Sequence, residues 1–272
     1  MTEAEYNVAE GIRRSDLWRM DDSAEKFKYF LEHPVEKTPA MAFGAACHKF
    51  ILEPNDFASE YVVAPAINRL TKEGKAQWAA FCEANEGKTV LKQEDIDTMA
   101  EMRAAIEKCA LAREMICGEA QRELPIFWTD PETGEKCKAK LDIVKQEDGK
   151  YVIVDYKTAA HADTFRFNAE IWKLGYYFQA GFYSEGLKAA LKLYYVPRFL
   201  FVAQEKKEPY AVNVVEVSDE VMTAGIAKFH ELLEKYHSCK EVDMFPGYVG
   251  DVPNDSYVPG WAEDALDEEE NT

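Results

Sequence analysis

The chain has 272 residues, 47% of them hydrophobic, and a formal net charge of −18. That length and apolar content support one large domain or two small ones with a sizeable core, and without a run of about 18 apolar residues no membrane span is expected. The acid excess argues against nucleic acid, whose binding rests on Lys and Arg neutralising phosphates, but six of the acids fall in the tail WAEDALDEEENT (261–272), and the shape of the field matters more than the total.

The N-terminus, MTEAEYNVAEGIRRSD, lacks the apolar middle of a secretory signal, so a cytoplasmic location is expected. Cys47, Cys82, Cys109, Cys117, Cys137 and Cys239 form no CxxC pair. A zinc or iron–sulfur site is therefore unsupported, and reduced thiols are expected.

In chain order, Ser15 is a plausible N-cap for a short helix. Met41 to Leu52 reads as a second helix, ending at Glu53-Pro54, and 55–70 as irregular or extended. Longer helices are expected over 72–85 and 93–117, the latter ended by Gly118. The character then changes. Arg122–Trp128, Lys136–Lys145 and Lys150–Thr158 read as a three-stranded meander with TDPETGE as its first turn. Asn168–Ala190 is a strongly aromatic helix. Strands over 193–203 and 211–217 and a closing helix over 219–236 follow. This order predicts a mixed α/β (α+β) fold. Residues 1–260 are expected to form a single domain, helical over about 10–118 and sheet-based over about 119–240. Residues 244–259 read as loop and 261–272 as a disordered tail.

The stretch LDIVKQEDGKYVIVDYKT (141–158) carries the chemistry. Asp148-Gly149 between apolar runs is the signature of a two-residue type I′ hairpin turn. With Glu147 opposite Lys150, the register puts Asp142 directly opposite Asp155. Lys157 shares the direction of Asp155, because side chains alternate with period 2. Opposed residues have Cβ atoms about 4.5–5.5 Å apart, and two carboxylates at that distance repel by roughly 3 kcal/mol at an effective dielectric near 20. A divalent cation reverses the sign. Mg²⁺ or Mn²⁺ suits paired carboxylates plus substrate phosphates, and Lys157 beside them can orient water or stabilise developing negative charge.

Other positions leave alternatives open. Glu123 starts the first strand and is either an exposed strand-end acid or a neighbour of Asp142. His48 lies beside the apolar stripe of its helix, either as a hydrogen-bonded core residue or as a metal ligand. Gln179 and Tyr183 share one helix face and either pack or hold a phosphate or water. Arg13, Arg14, Lys138 and Lys140 are candidate phosphate contacts by charge only, and solvated surface charges are the default reading. No GxGxxG, P-loop or nucleophile elbow is present.

Five ordered stretches carry a family resemblance. D-x12-D-x-K across the hairpin, Asp142 with Asp155-Tyr156-Lys157, resembles the PD-(D/E)xK nuclease superfamily, with Leu141 where the name-giving proline would stand. FGAACHKFILEP, SDLWRMDDSAEKFKYF, RELPIFWTDPETGEKCKAKLD and DYKTAAHADTFRFNAEIWKLGYYFQAGFYSEGL are similar to segments of phage and prophage exonuclease VIII (RecE-like) proteins, together covering about residues 10–205. The resemblance implies a PD-(D/E)xK core with a central mixed sheet flanked by helices. It implies a metal-dependent exonuclease that digests linear double-stranded DNA from the 5′ end and leaves 3′ strands for a single-strand annealing protein. It further implies a homo-oligomer, a ring in processive relatives. His48, Asp142, Asp155 and the Tyr156 carbonyl become ligands of one or two Mg²⁺ or Mn²⁺ ions, Lys157 the catalytic lysine, Glu123 a further acid, and Gln179 and Tyr183 substrate-positioning groups. The rival readings are a nuclease of the same fold with single-strand or endonucleolytic specificity, and a non-catalytic DNA- or partner-binding module.

Overall fold

The computed structural model describes residues 1, 3–33, 35, 38–248, 255 and 256. The acidic tail and most of the expected 244–259 loop lie outside them. The chain opens with α1 (Glu3–Val8), α2 (Arg14–Leu17), α3 (Arg19–Asp22) and α4 (Ala24–Glu32). Ser15 is not the cap that the sequence led us to expect, because it lies inside α2, which starts from Arg13 without a side-chain cap. Ser23 caps instead, its hydroxyl accepting the Lys26 N–H at 3.1 Å.

α5 (Pro39–Leu52) begins two residues before Met41 because Thr38 caps it and Pro39 supplies a pre-set first turn. α6 (Phe57–Glu60) and β1 (Tyr61–Val63) occupy part of the stretch read as irregular. After α7 (Lys72–Ala84), β2 (Thr89–Leu91) pairs with β1 in parallel. Three residues are too few for a strand periodicity to register. The single helix expected over 93–117 is two, α8 (Gln93–Lys108) and α9 (Ala110–Cys117), broken at Cys109 with ψ 106°. The break turns Met102 and Ile106 of α8 and Ala112 and Ile116 of α9 into one core. Gly118 does end α9, and its hydrogen side is needed, because a Cβ there would sit 2.4 Å from the Glu114 carbonyl oxygen.

β3 (Gln121–Thr129), β4 (Lys136–Glu147) and β5 (Lys150–Ala159) form the expected meander. The aromatic helix expected over 168–190 is again two, α10 (Thr164–Lys173) and α11 (Tyr176–Leu191). They part at Gly175, whose φ of +66° and contact with the Trp18 ring, 2.6 Å from a notional Cβ, exclude a side chain. β6 (Arg198–Glu205) starts after Pro197 rather than at Leu193. β7 (Val212–Glu216) and α12 (Asp219–Glu241) complete the order, α12 running past the expected end at Tyr236.

The main sheet runs β3-β4-β5-β6-β7, with β5 and β6 parallel and the other pairs antiparallel. This is the mixed sheet with a meander that the sequence predicts. One face packs on α10 to α12 through Phe178, Phe182, Phe199, Phe201 and Phe229. The other packs on α5, α8 and α9 through Met99, Met102, Val152, Val154 and Tyr156. The period-2 alternation of β4 breaks at one place. Cys137, Ala139 and Leu141 face the first core, then Ile143 faces the second and Val144 the first again. The break falls at Asp142, and the residue across from it on β3, Glu123, has a left-handed φ of 49°. Such irregularities recur beside active sites, where they re-aim side chains.

Candidate active site

The hairpin register is the expected one. Glu147 pairs with Lys150, and Asp148 and Gly149 both have positive φ, 49° and 77°, as a type I′ turn requires. The ladder runs to Ile143–Val154 and stops. One step further Asp142 would face Asp155, but there the strands part, and the Tyr156 N–H donates to Asp142 Oδ2 at 2.9 Å. The opening between β4 and β5 is where the carboxylates gather.

Glu123, Asp142 and Asp155 come from the neighbouring strands β3, β4 and β5. β3 pairs with β4 through Arg122–Ile143 and Leu124–Leu141, which seats Glu123 beside Asp142. His48 reaches over from α5. Its Nε2 lies 2.7 Å from Asp142 Oδ2 and its Nδ1 3.4 Å from Glu123 Oε1. Ligand atoms of His48, Glu123 and Asp142 all lie within 4.8 Å of one another. Glu123 Oε1 is buried and, among the described residues, accepts no hydrogen bond. An imidazole nitrogen with two carboxylates, one oxygen of them orphaned, is a donor set that fits a Mg²⁺- or Mn²⁺-class ion. Asp155 stands just outside this group. Its Oδ1 lies 2.5 Å from Lys157 Nζ, and Gln179 Nε2 donates to its Oδ2. Lys157 also lies 5.0 Å from the centre of the Tyr176 ring.

The electrostatics follow from crowding acids in a place where Asp155 is only 1% exposed. Burial and then the Asp142 charge push Asp155 up to about 6, against the pull of Lys157. Burial likewise raises Glu123, helped by Asp142. Burial also works to raise Asp142, but the charge and hydrogen bond of His48, with Lys157 and the Tyr156 N–H, outweigh it and hold Asp142 below the usual carboxylate range. Burial would lower His48, yet Asp142 and then Glu123 raise it to about 9. A fold that concentrates like charges and then tunes them apart is a functional-site signature.

The remaining candidates are placed as follows. Gln179 and Tyr183 line a cavity of about 250 Å³ together with Asp142, Asp155 and Lys157. Burial pushes the Tyr183 hydroxyl well up. Arg13, Arg14, Lys138 and Lys140 line the same cavity. Arg13 Nε pairs with Asp16 at 2.8 Å, and Arg14 donates to the carbonyls of Leu174 and Gly175. Lys138 is buried, its ammonium donating to the carbonyls of Tyr6, Asn7 and Ala9 at the end of α1. Lys140 Nζ lies 2.7 Å from Glu123 Oε2. The side chain of Tyr156 points away from the site and donates to Gln204 Oε1 at 2.7 Å. Two further residues stand near the site. Tyr6 arrives from α1 to line the cavities on both sides of Asp142, and Tyr176 covers Lys157. Tyr6 lies in no motif that marks it, whereas Tyr176 falls inside the DYKTAAHADTFRFNAEIWKLGYYFQAGFYSEGL segment, where its aromatic neighbours make it read as core packing.

A five-stranded mixed sheet whose β-hairpin opens onto paired acids and a lysine defines a PD-(D/E)xK-like core. Residues 14–253 match the PDDEXK-like domain of unknown function, DUF3799, and the chain belongs to that family. Among solved structures, the fold is similar to that of a protein from Eubacterium rectale described as a putative exonuclease, with TM-score 0.59 and 15% identity over 93% of this chain and 92% of that chain. The similarity to SSO0001 is weaker, with TM-score 0.37 and 11% identity over 84% of this chain and 77% of that one. No curated protein matches the sequence. Among the described residues, no helix is long and apolar enough to cross a membrane.

Proposed function

We propose that the protein is a metal-dependent exodeoxyribonuclease acting on linear double-stranded DNA in the 5′ to 3′ direction. In this reading it leaves 3′ single strands for an annealing partner and works as a homo-oligomer. The observation that carries the reading is that Glu123, Asp142 and Asp155 come from three adjacent strands, with Glu123 and Asp142 grouped with His48 on one side of the sheet opening and Asp155 with Lys157 lining the cavity on the other side of Asp142. Family membership and the fold shared with the Eubacterium rectale protein support it.

His48, Glu123 and Asp142 would hold a Mg²⁺ or Mn²⁺ ion, with Asp155 and the Tyr156 carbonyl as further ligands. A divalent ion in such a site polarises a phosphoryl oxygen and acidifies a bound water. Asp155, held by Gln179 and Lys157, orients the lysine. The Lys157 ammonium positions the attacking water and stabilises the charge that builds on the phosphoryl oxygens. Gln179 and Tyr183 position the scissile phosphate, and the basic cavity accounts for DNA binding by a chain of net negative charge. The test is digestion of end-labelled linear duplex with Mg²⁺ and without ATP, against closed circular DNA. Linear substrate should be lost from its 5′ ends while the circle survives, and Lys157→Ala should abolish the loss with an unchanged circular dichroism spectrum. Cleavage of the circle, or digestion surviving Lys157→Ala, removes the reading.

A further inference from the structure

Lys140 occupies a position that DNA contact alone does not explain. It precedes Asp142 by two residues on β4, and its Nζ holds Glu123 Oε2 at 2.7 Å while His48 Nδ1 faces the other oxygen. The Glu123 carboxylate is thus held by Lys140 at one oxygen and faced by His48 at 3.4 Å from the other, on a backbone whose φ of 49° is sparsely populated for a glutamate. Strain of this kind persists where surrounding contacts over-determine it.

Lys140 also stands on a boundary. Tyr6, Lys140 and Asp142 line both the 250 Å³ cavity and a larger one of about 800 Å³. The larger cavity has acidic walls, Glu53, Asp56 and Glu60, where Lys49 is already paired with Glu53 and Glu60. The smaller has basic walls. Of its other cations, Lys138 is anchored by three carbonyls, Arg14 by two and Arg13 by Asp16, and Lys157 pairs with Asp155, which stands outside the His48, Glu123 and Asp142 group. Lys140 differs in that one of its partners is Glu123, a member of the group that would hold the ion, and its four-carbon stem lets the ammonium swing.

We propose that Lys140 is a place-holding cation, neutralising Glu123 until a divalent ion takes that carboxylate and then turning to the phosphates of a strand in the basic cavity. The inference rests on the metal-nuclease reading and deepens it. An ion at ligand distance from Glu123 repels an ammonium on the same carboxylate, so the two compete for one group. By linkage, a strand that draws Lys140 away strengthens the ion, and the ion strengthens the strand by the same factor.

The test is Mn²⁺ calorimetry on the full chain without DNA, comparing wild type, Lys140→Gln and Arg13→Gln. Arg13 lies in the same cavity, so its variant reports the general effect of losing a positive charge. Lys140→Gln should bind Mn²⁺ about tenfold more tightly, within the usual range of coupling, and Arg13→Gln no more than about threefold, as a field effect. A duplex with phosphorothioate end linkages, followed by fluorescence anisotropy, should bind wild type and Arg13→Gln more tightly when Mn²⁺ is added, and Lys140→Gln without that gain. Equal gains in Mn²⁺ affinity for the two variants, or unchanged or weaker Mn²⁺ binding by Lys140→Gln, overturns the place-holder. Failure of wild type to bind Mn²⁺ overturns the metal site itself, and the inference with it.

Discussion

The two ends of the β4–β5 hairpin hold similar charges in opposite circumstances. At the closed end, Glu147 lies 3.0 Å from Arg198 and 3.5 Å from Lys145, with the Arg198 side chain 49% exposed. Lys145 is buried beneath the pair, but Arg198 and Glu147 keep water as well as each other, and such an exposed pair is worth about 0–1 kcal/mol. At the open end the ladder has stopped, Asp155 is sealed, and Glu123, Asp142 and Asp155 share one opening with His48, Lys140 and Lys157. Acid density is therefore a poor guide to function. What separates the two ends is burial where the β4–β5 ladder has stopped, which leaves oxygens of Glu123 and Asp142 facing a common point beside Asp155.

The contrast can be broken most severely at Asp142. Asp142→Asn should weaken Mn²⁺ binding by more than about 100-fold, beyond the range for outer-shell partners of a metal, whereas Glu147→Gln should leave it unchanged. Calorimetry on the two variants reads the difference, and similar losses from both would erase the distinction between the ends.

A second difference lies in proton linkage. His48 is raised from 6.5 to about 9, so the stability it contributes is fully present below pH 6.5 and lost as pH rises through 9. Asp155 is raised from 3.8 to about 6, so its protonated form stabilises the fold below 3.8, a contribution lost as pH rises through 6. Both act in one direction. In EDTA the Tm should fall between pH 5 and pH 9, and His48→Gln should flatten the upper part of that fall. A metal ion competes with the His48 proton, so the Mn²⁺-induced rise in Tm should grow with pH. A Tm that climbs toward pH 9 in EDTA would contradict the site electrostatics.

A smaller effect separates site from scaffold. Tyr156 donates to Gln204, which in turn donates to the Met102 carbonyl at 2.7 Å, all within the buried core. Tyr156→Phe leaves Gln204 Oε1 without that donor and should cost about 1–3 kcal/mol in urea unfolding, with Mn²⁺ affinity unchanged. The smallest effect belongs to the closed end, where Arg198→Ala should cost no more than about 1 kcal/mol.

Much of the site was legible because one local signal fixes it. Asp148-Gly149 determines the hairpin register by turn chemistry alone, and the register brings Asp142, Asp155 and Lys157 to one region. Glu123 was harder, because the TDPETGE turn is long enough to permit several registers between β3 and β4. Its pairing with Asp142 also depends on a break in alternation that no periodicity announces. His48 needed tertiary structure, since the apolar stripe of α5 is the same whether the imidazole packs or faces a carboxylate. The helix boundaries at Cys109 and Gly175 were missed for a related reason. Cys109 is an ordinary residue in a helical pattern, and the need for Gly175 arises from Trp18, more than 150 residues earlier in the chain. Lys138 read as a surface charge because sequence does not disclose that α1 folds back to place three carbonyls around it.

The fold-back of α1 has a practical side. Met1 itself lines the larger cavity, so a purification handle fused ahead of it would hang over the mouth of the cleft. Assays of the proposed activity on material with leftover vector residues at that end would then measure the obstruction as much as the site, and the handle should be cut off or moved elsewhere before any inactive result is interpreted.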